Sequence, residues 1–114
     1  MQDKLLIATR VKKTIDYIEV ITSNYPHTEV ILKNKIIDTS YELLYLTYKA
    51  NIYKDIYSMK DILVNIRMLD YYVKKSLDKK IISYKKYEVL ASHLLEITKM
   101  VNKWITNEKS RKSI

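Results

Sequence analysis

Apolar residues return every three or four positions along most of this chain, the spacing that lines one face of an α-helix. Ile7, Val11, Thr14, Ile15, Ile18, Ile21 and Tyr25 form the first stripe and predict a helix from about Asp3 to Asn24. Pro26 ends it, because proline cannot continue the hydrogen-bond ladder and disfavours helix at the residue before it. Thr28 then offers an N-cap oxygen for a second helix reaching Lys49 or Ala50. Its inner stripe is Leu32, Ile36, Ile37, Ser40, Leu43, Leu44 and Thr47. Val30, Ile31, Tyr41, Tyr45, Leu46 and Tyr48 make this helix apolar almost all round, as expected of a helix buried on more than one side.

Residues 51–57 lack a period and predict the longest loop. Ser58, with Asp61 three positions on, has the form of a capping box. It opens a third helix whose core face is Met59, Ile62, Ile66, Leu69, Val73 and Leu77, ending near Lys79. Ser83 caps a fourth, with Tyr87, Leu90, Ala91, Leu94, Ile97, Val101, Trp104 and Ile105 inward, to about Asn107. Four long helices with short connections predict an all-α fold, an antiparallel up-down-up-down four-helix bundle over residues 1–107. The charged, aperiodic segment 108–114 is expected to be a disordered tail.

Composition sharpens this picture. Glycine and cysteine are absent and Pro26 is the single proline. Tight hairpins and parallel βα turns lean on glycine, whereas helix connections can use Asn, Asp and Ser. Without cysteine there is no disulfide or thiolate chemistry. No apolar run approaches the ~20 residues of a membrane span and no signal peptide opens the chain, so a soluble, cytoplasmic protein without membrane contact is expected.

The net charge is +8, and it is unevenly spread. Residues 1–73 hold ten basic and nine acidic side chains, residues 74–114 eleven and four. Lys74, Lys75, Lys79, Lys80, Lys85 and Lys86 fall together at one end of the bundle, with Arg67 extending them along the third helix. Lys60, Lys99 and Lys103 can prolong the same surface. Lysines near a helix C-terminus complement its dipole, but Lys85 and Lys86 open a helix, where the dipole opposes cations. Such a cluster suits the phosphates of RNA or DNA, with affinity that falls steeply as salt rises. Tyr84 stands among these lysines and can stack on an unpaired base.

Enzyme chemistry finds no constellation. His27 and His93 lack metal-ligand spacing, and a phosphate loop needs glycine. Asp16, Glu19, Asp38, Glu42, Asp61 and Asp70 occupy polar-face positions where they can pair with lysines. Ser40 and Thr47 more often bond a backbone carbonyl than act as nucleophiles. No catalytic residue, metal ligand or cofactor is expected. A second set of apolar residues lies off the core stripes: Leu6, Tyr17 and Val20; Val64, Met68 and Tyr71; Val89, His93 and Met100. Aligned on three helices, they suggest one contiguous patch and a homo-oligomer interface.

The run Ile82-Ser83-Tyr84-Lys85-Lys86-Tyr87-Glu88, followed by Leu94-Leu95-Glu96-Ile97-Thr98-Lys99-Met100-Val101-Asn102-Lys103-Trp104-Ile105, resembles the last helix of the accessory variability determinant family. Tyr25-Pro26, Ala50-Asn51 and Ile66-Arg67-Met68-Leu69 agree with it upstream, so the resemblance covers roughly residues 9–106. These proteins accompany the reverse transcriptase of diversity-generating retroelements and are similar to bundles encoded in intervening sequences of 23S ribosomal RNA genes. The resemblance implies a non-catalytic homopentamer with a basic surface. It would bind the reverse transcriptase and the retroelement's RNA or DNA and support mutagenic copying of a template repeat. A ribosomal-RNA-associated bundle or a purely structural interaction module are the alternatives. The family shows glycines before the tryptophan where this chain has Thr98, Asn102 and Lys103, a departure that bears on oligomer geometry more than on fold.

Overall fold

The computed structural model describes residues 2–112, with side chains for residues 6–111. Its helices are α1 (Gln2–Thr22), α2 (Val30–Tyr53), α3 (Ile56–Asp78) and α4 (Tyr84–Lys112), with a 3-10 turn at His27–Glu29 before α2. Each helix packs on its neighbours in chain order and α4 closes on α1, and among the described residues no diagonal pair of helices brings its backbones close. Residues late in one helix meet residues early in the next, as where the Tyr87 hydroxyl donates to Asp70. Tyr17, late in α1, likewise reaches Lys86 at the start of α4. The helices therefore alternate in direction, in a body of 53 × 22 × 20 Å.

The stripes read from the sequence line the core. Val11, Ile18, Ile36, Leu43, Ile62, Leu69, Leu90, Ile97 and Val101 are fully buried. Among them Ala8, Ala50, Ser40, Thr47 and Ser76 are smaller side chains, also buried. The inward hydroxyls satisfy themselves on the preceding turn: Thr47 donates to the Leu43 carbonyl at 2.8 Å and Ser40 to that of Ile37 at 2.7 Å.

Five expectations change. The longest loop is not at residues 51–57, because α2 runs to Tyr53 and α3 starts at Ile56. The cap of α3 is Asp55, whose carboxylate accepts from the Ser58 amide at 2.7 Å. Thr28 caps nothing directly; the turn at His27–Glu29 follows extended Pro26 (φ −62°, ψ 150°) and runs into α2. The chain beyond Asn107 continues as helix to Lys112, because Glu108 turns inward one turn after Trp104 and pairs with Arg111 at 3.6 Å. Residues 113 and 114 lie outside the described part. Finally, α2 is not buried on several sides. With only two helical neighbours, it leaves Val30, Ile31, Tyr41, Tyr45 and Tyr48 exposed.

Glycine-free corners carry a conformational cost. Lys54 closes α2 at φ 56° and Lys80 follows α3 at φ 62°, both in the left-handed region. The end of α3 is a Schellman motif, with the Lys80 amide bonded to the Leu77 carbonyl and the Ile81 amide to that of Ser76, each at 2.9 Å. A side chain in this conformation costs roughly 1–2 kcal/mol, part of which glycine returns through its freer unfolded chain. Lys54→Gly should therefore stabilise the bundle by about 0.5–1 kcal/mol in urea unfolding; an unchanged or lower midpoint would contradict the strained corner.

Candidate nucleic-acid interface

The predicted basic residues gather at the end where α3 stops and α4 begins, but they divide by surroundings. Lys79 reaches the turn before α2 and pairs with Glu29 at 3.0 Å. Lys75 sits 5.8 Å over the Tyr71 ring. Arg67, Lys74 and Lys75 share a shallow groove with Asp70 and Asp78, which offset their charge. Lys80, Lys85 and Lys86 are exposed and form no ion pair with a described residue. The uncompensated charge thus sits at the corner itself.

Local structure fixes that corner. Ile82 is buried and Ile81 half-buried beneath it. Ser83 stands just before α4 and caps it, its hydroxyl accepting from the Lys86 amide at 3.2 Å, as its sequence position predicts. No acidic residue stands in the first turn of α4, so the dipole there faces two lysines and no compensating carboxylate. Tyr84 is 64% exposed beside them, free to stack. Tyr87 is half-buried with its hydroxyl on Asp70 at 3.0 Å. Burial first, and then the Asp70 bond, raise its pKa and keep the phenol protonated.

The apolar residues off the core do not form one patch. Leu6, Tyr17, Val89, His93 and Met100 belong to the α1–α4 side, with Val20 exposed one turn beyond Tyr17. Val64 and Met68 lie on the opposite, α2–α3 side. Tyr71 lines the basic groove instead. The pattern on each helix was legible, but the rotation of one helix against another was not. The sequence also gave no notice of the exposed Tyr41–Tyr45–Tyr48 ridge on α2, where Tyr41 bonds Glu19 and Lys12 lies 5.8 Å over Tyr48.

Of the remaining candidates, His93 stacks on Tyr17 at 5.7 Å, and its Nδ1 is buried without a partner. Burial, then Arg10 and Lys13, lower its pKa below 6.5. His27 is exposed in the turn before α2. None of Asp16, Glu19, Asp38, Glu42, Asp61 and Asp70 forms an ion pair with a described residue. Among the described residues no three His, Asp or Glu side chains converge as a metal site, and no helix is long and apolar enough to cross a membrane.

Residues 5–108 match the family model described as bAvd-like. The chain belongs to the bAvd-like family. The match takes in most of all four helices and stops at Glu108, the last buried residue of α4 among those whose side chains are described. No curated protein matches the chain. Where the family resemblance calls for glycines, Thr98 is half-buried with its hydroxyl on the Leu94 carbonyl at 2.8 Å, while Asn102 and Lys103 are exposed. The bundle interior therefore accommodates the departure, which falls mainly on the outer surface.

Two outcomes follow. Lys85→Glu and Lys86→Glu should each stabilise the bundle by about 0.3–1 kcal/mol at low ionic strength, because an acid suits a helix N-terminus. Loss of stability in thermal unfolding would contradict this. His93 has a folded pKa below its unfolded value, so the unfolded chain binds more protons. Stability should be full above pH 6.5 and fall as the pH drops through that value. His93→Gln should flatten the dependence in urea midpoints taken between about pH 7 and 5.

Proposed function

We propose that this protein is a non-catalytic, nucleic-acid-binding accessory protein of a diversity-generating retroelement. In this reading it assembles as a homo-oligomer, a pentamer in the family it resembles. It binds RNA or DNA at the α3–α4 corner and joins the element's reverse transcriptase during mutagenic copying. Family membership supports the accessory role. The observation that carries nucleic-acid binding is the placement of Lys80, Lys85 and Lys86, exposed and uncompensated where helix electrostatics opposes two of them. Arg67, Lys74, Lys75 and Lys79 flank them as a second, partly neutralised ring. Tyr84 adds a ring face for an unpaired base.

Contacts of this kind read phosphate charge and not sequence. Each phosphate neutralised on a single strand contributes about −0.7 to the slope of log affinity against log salt. The variant Lys79→Glu, Lys80→Glu, Lys85→Glu, Lys86→Glu should bind single-stranded RNA more than tenfold more weakly at low salt, in fluorescence anisotropy. Its salt slope should flatten by about 3. Retained affinity with an unchanged slope would remove the corner from the binding surface.

A further inference from the structure

The groove along α3 holds a mixture of groups that phosphate binding does not account for. It measures about 300 Å³ and is lined by Arg67, Asp70, Tyr71, Lys74, Lys75 and Asp78. Two of these side chains are carboxylates, which repel phosphate. Asp70 is engaged, accepting from the Tyr87 hydroxyl at 3.0 Å. Arg67 and Asp78 are exposed and form no ion pair with a described residue. Opposite charges thus share one groove without neutralising each other, and both remain open to a ligand.

Their placement sets what fits between them. Arg67, Tyr71, Lys74 and Asp78 follow one another on α3 at spacings of four, three and four residues, a single stripe of the helix. The stripe is about 16 Å long. Tyr71 stands within it, 56% exposed. Tyr72 meets its ring edge-on with centroids 5.7 Å apart, and Lys75 lies 5.8 Å over it. A flat group resting on Tyr71 therefore has a guanidinium on one side and a carboxylate on the other.

One nucleobase matches that set. Guanine presents two adjacent acceptors, O6 and N7, which an arginine takes in bidentate fashion. Its Watson–Crick edge presents two adjacent donors, N1–H and the 2-amino group, which suit the two oxygens of a carboxylate. Adenine, cytosine and uracil each lack that donor pair. In a duplex the same edge is occupied by cytosine, so the base must be unpaired.

We infer that this groove is a subsite for an unpaired guanine of a single strand, stacked on Tyr71, with Arg67 on O6 and N7 and Asp78 on N1 and the 2-amino group. This rests on the nucleic-acid reading of the corner and deepens it. Lys80, Lys85 and Lys86 hold phosphates without regard to sequence, and the neighbouring groove selects a base.

Fluorescence anisotropy tests it with short labelled strands of uridine, either plain or carrying one central guanosine or inosine. Inosine lacks only the 2-amino group. The wild type should bind the guanosine strand more than about fivefold tighter than the plain strand, with inosine between them. Asp78→Asn should bind the plain strand more tightly, because a negative charge leaves the groove, yet lose the preference for guanosine over inosine. Tyr71→Ala should lose the preference for guanosine over uridine; circular dichroism verifies that both variants fold. Equal wild-type affinity for the three strands, or preferences untouched in either variant, would overturn the guanine subsite while leaving the corner in place. Free guanosine monophosphate binding as tightly as the guanosine strand would overturn it in favour of a mononucleotide site. Failure of every strand to bind at low salt would instead overturn the reading of the corner itself.

Discussion

The reversal between α3 and α4 is the constraint on which the rest of the molecule depends. The chain turns from Asp78 to Tyr84 without glycine, and does so by placing Lys80 in the left-handed region. The Schellman bonds satisfy the last carbonyls of α3, and Ile81 and Ile82 turn back to the core. That anchoring fixes where α4 starts, hence the phase of its inward stripe from Leu90 to Glu108. It also brings the C-terminal lysines of α3 and the N-terminal lysines of α4 to one corner. Fold and candidate site share a cause.

Charge at that corner divides into a part the fold uses and a part it does not. Lys79 pairs with Glu29, and Lys75 lies over Tyr71. Lys85 and Lys86 repel the dipole of the helix they begin, with Ser83 as cap and no acid to compensate. A bundle selected for stability alone would place Glu there. Cations kept against a local electrostatic penalty are the pattern of stability exchanged for binding.

Much of this was legible in the residues themselves. The inward stripes from Ile7 to Tyr25 and from Leu90 to Ile105 gave helix number and core, because each follows a clean helical period. The α2–α3 junction was not legible. Ile52, Tyr53 and Tyr57 are apolar yet exposed, and two periods meet across only Lys54 and Asp55, so the pattern looks like a loop. The end of α4 was hidden by chemistry, since Glu108 continues the inward stripe with a carboxylate. Of the site, the lysines were visible as a run. Their partition by Glu29, Asp70 and Asp78, and the split of the outer apolar residues onto opposite sides, depend on how the helices are rotated against each other.

The corner's role is tested most directly by following backbone amide resonances of the protein during titration with single-stranded RNA. The account predicts that the largest shifts fall between Lys74 and Lys86, centred on Lys80, Tyr84 and Lys85, and that added salt reverses them. Shifts concentrated at the other end of the bundle, around Lys49 to Tyr57, or none at low salt, would contradict it.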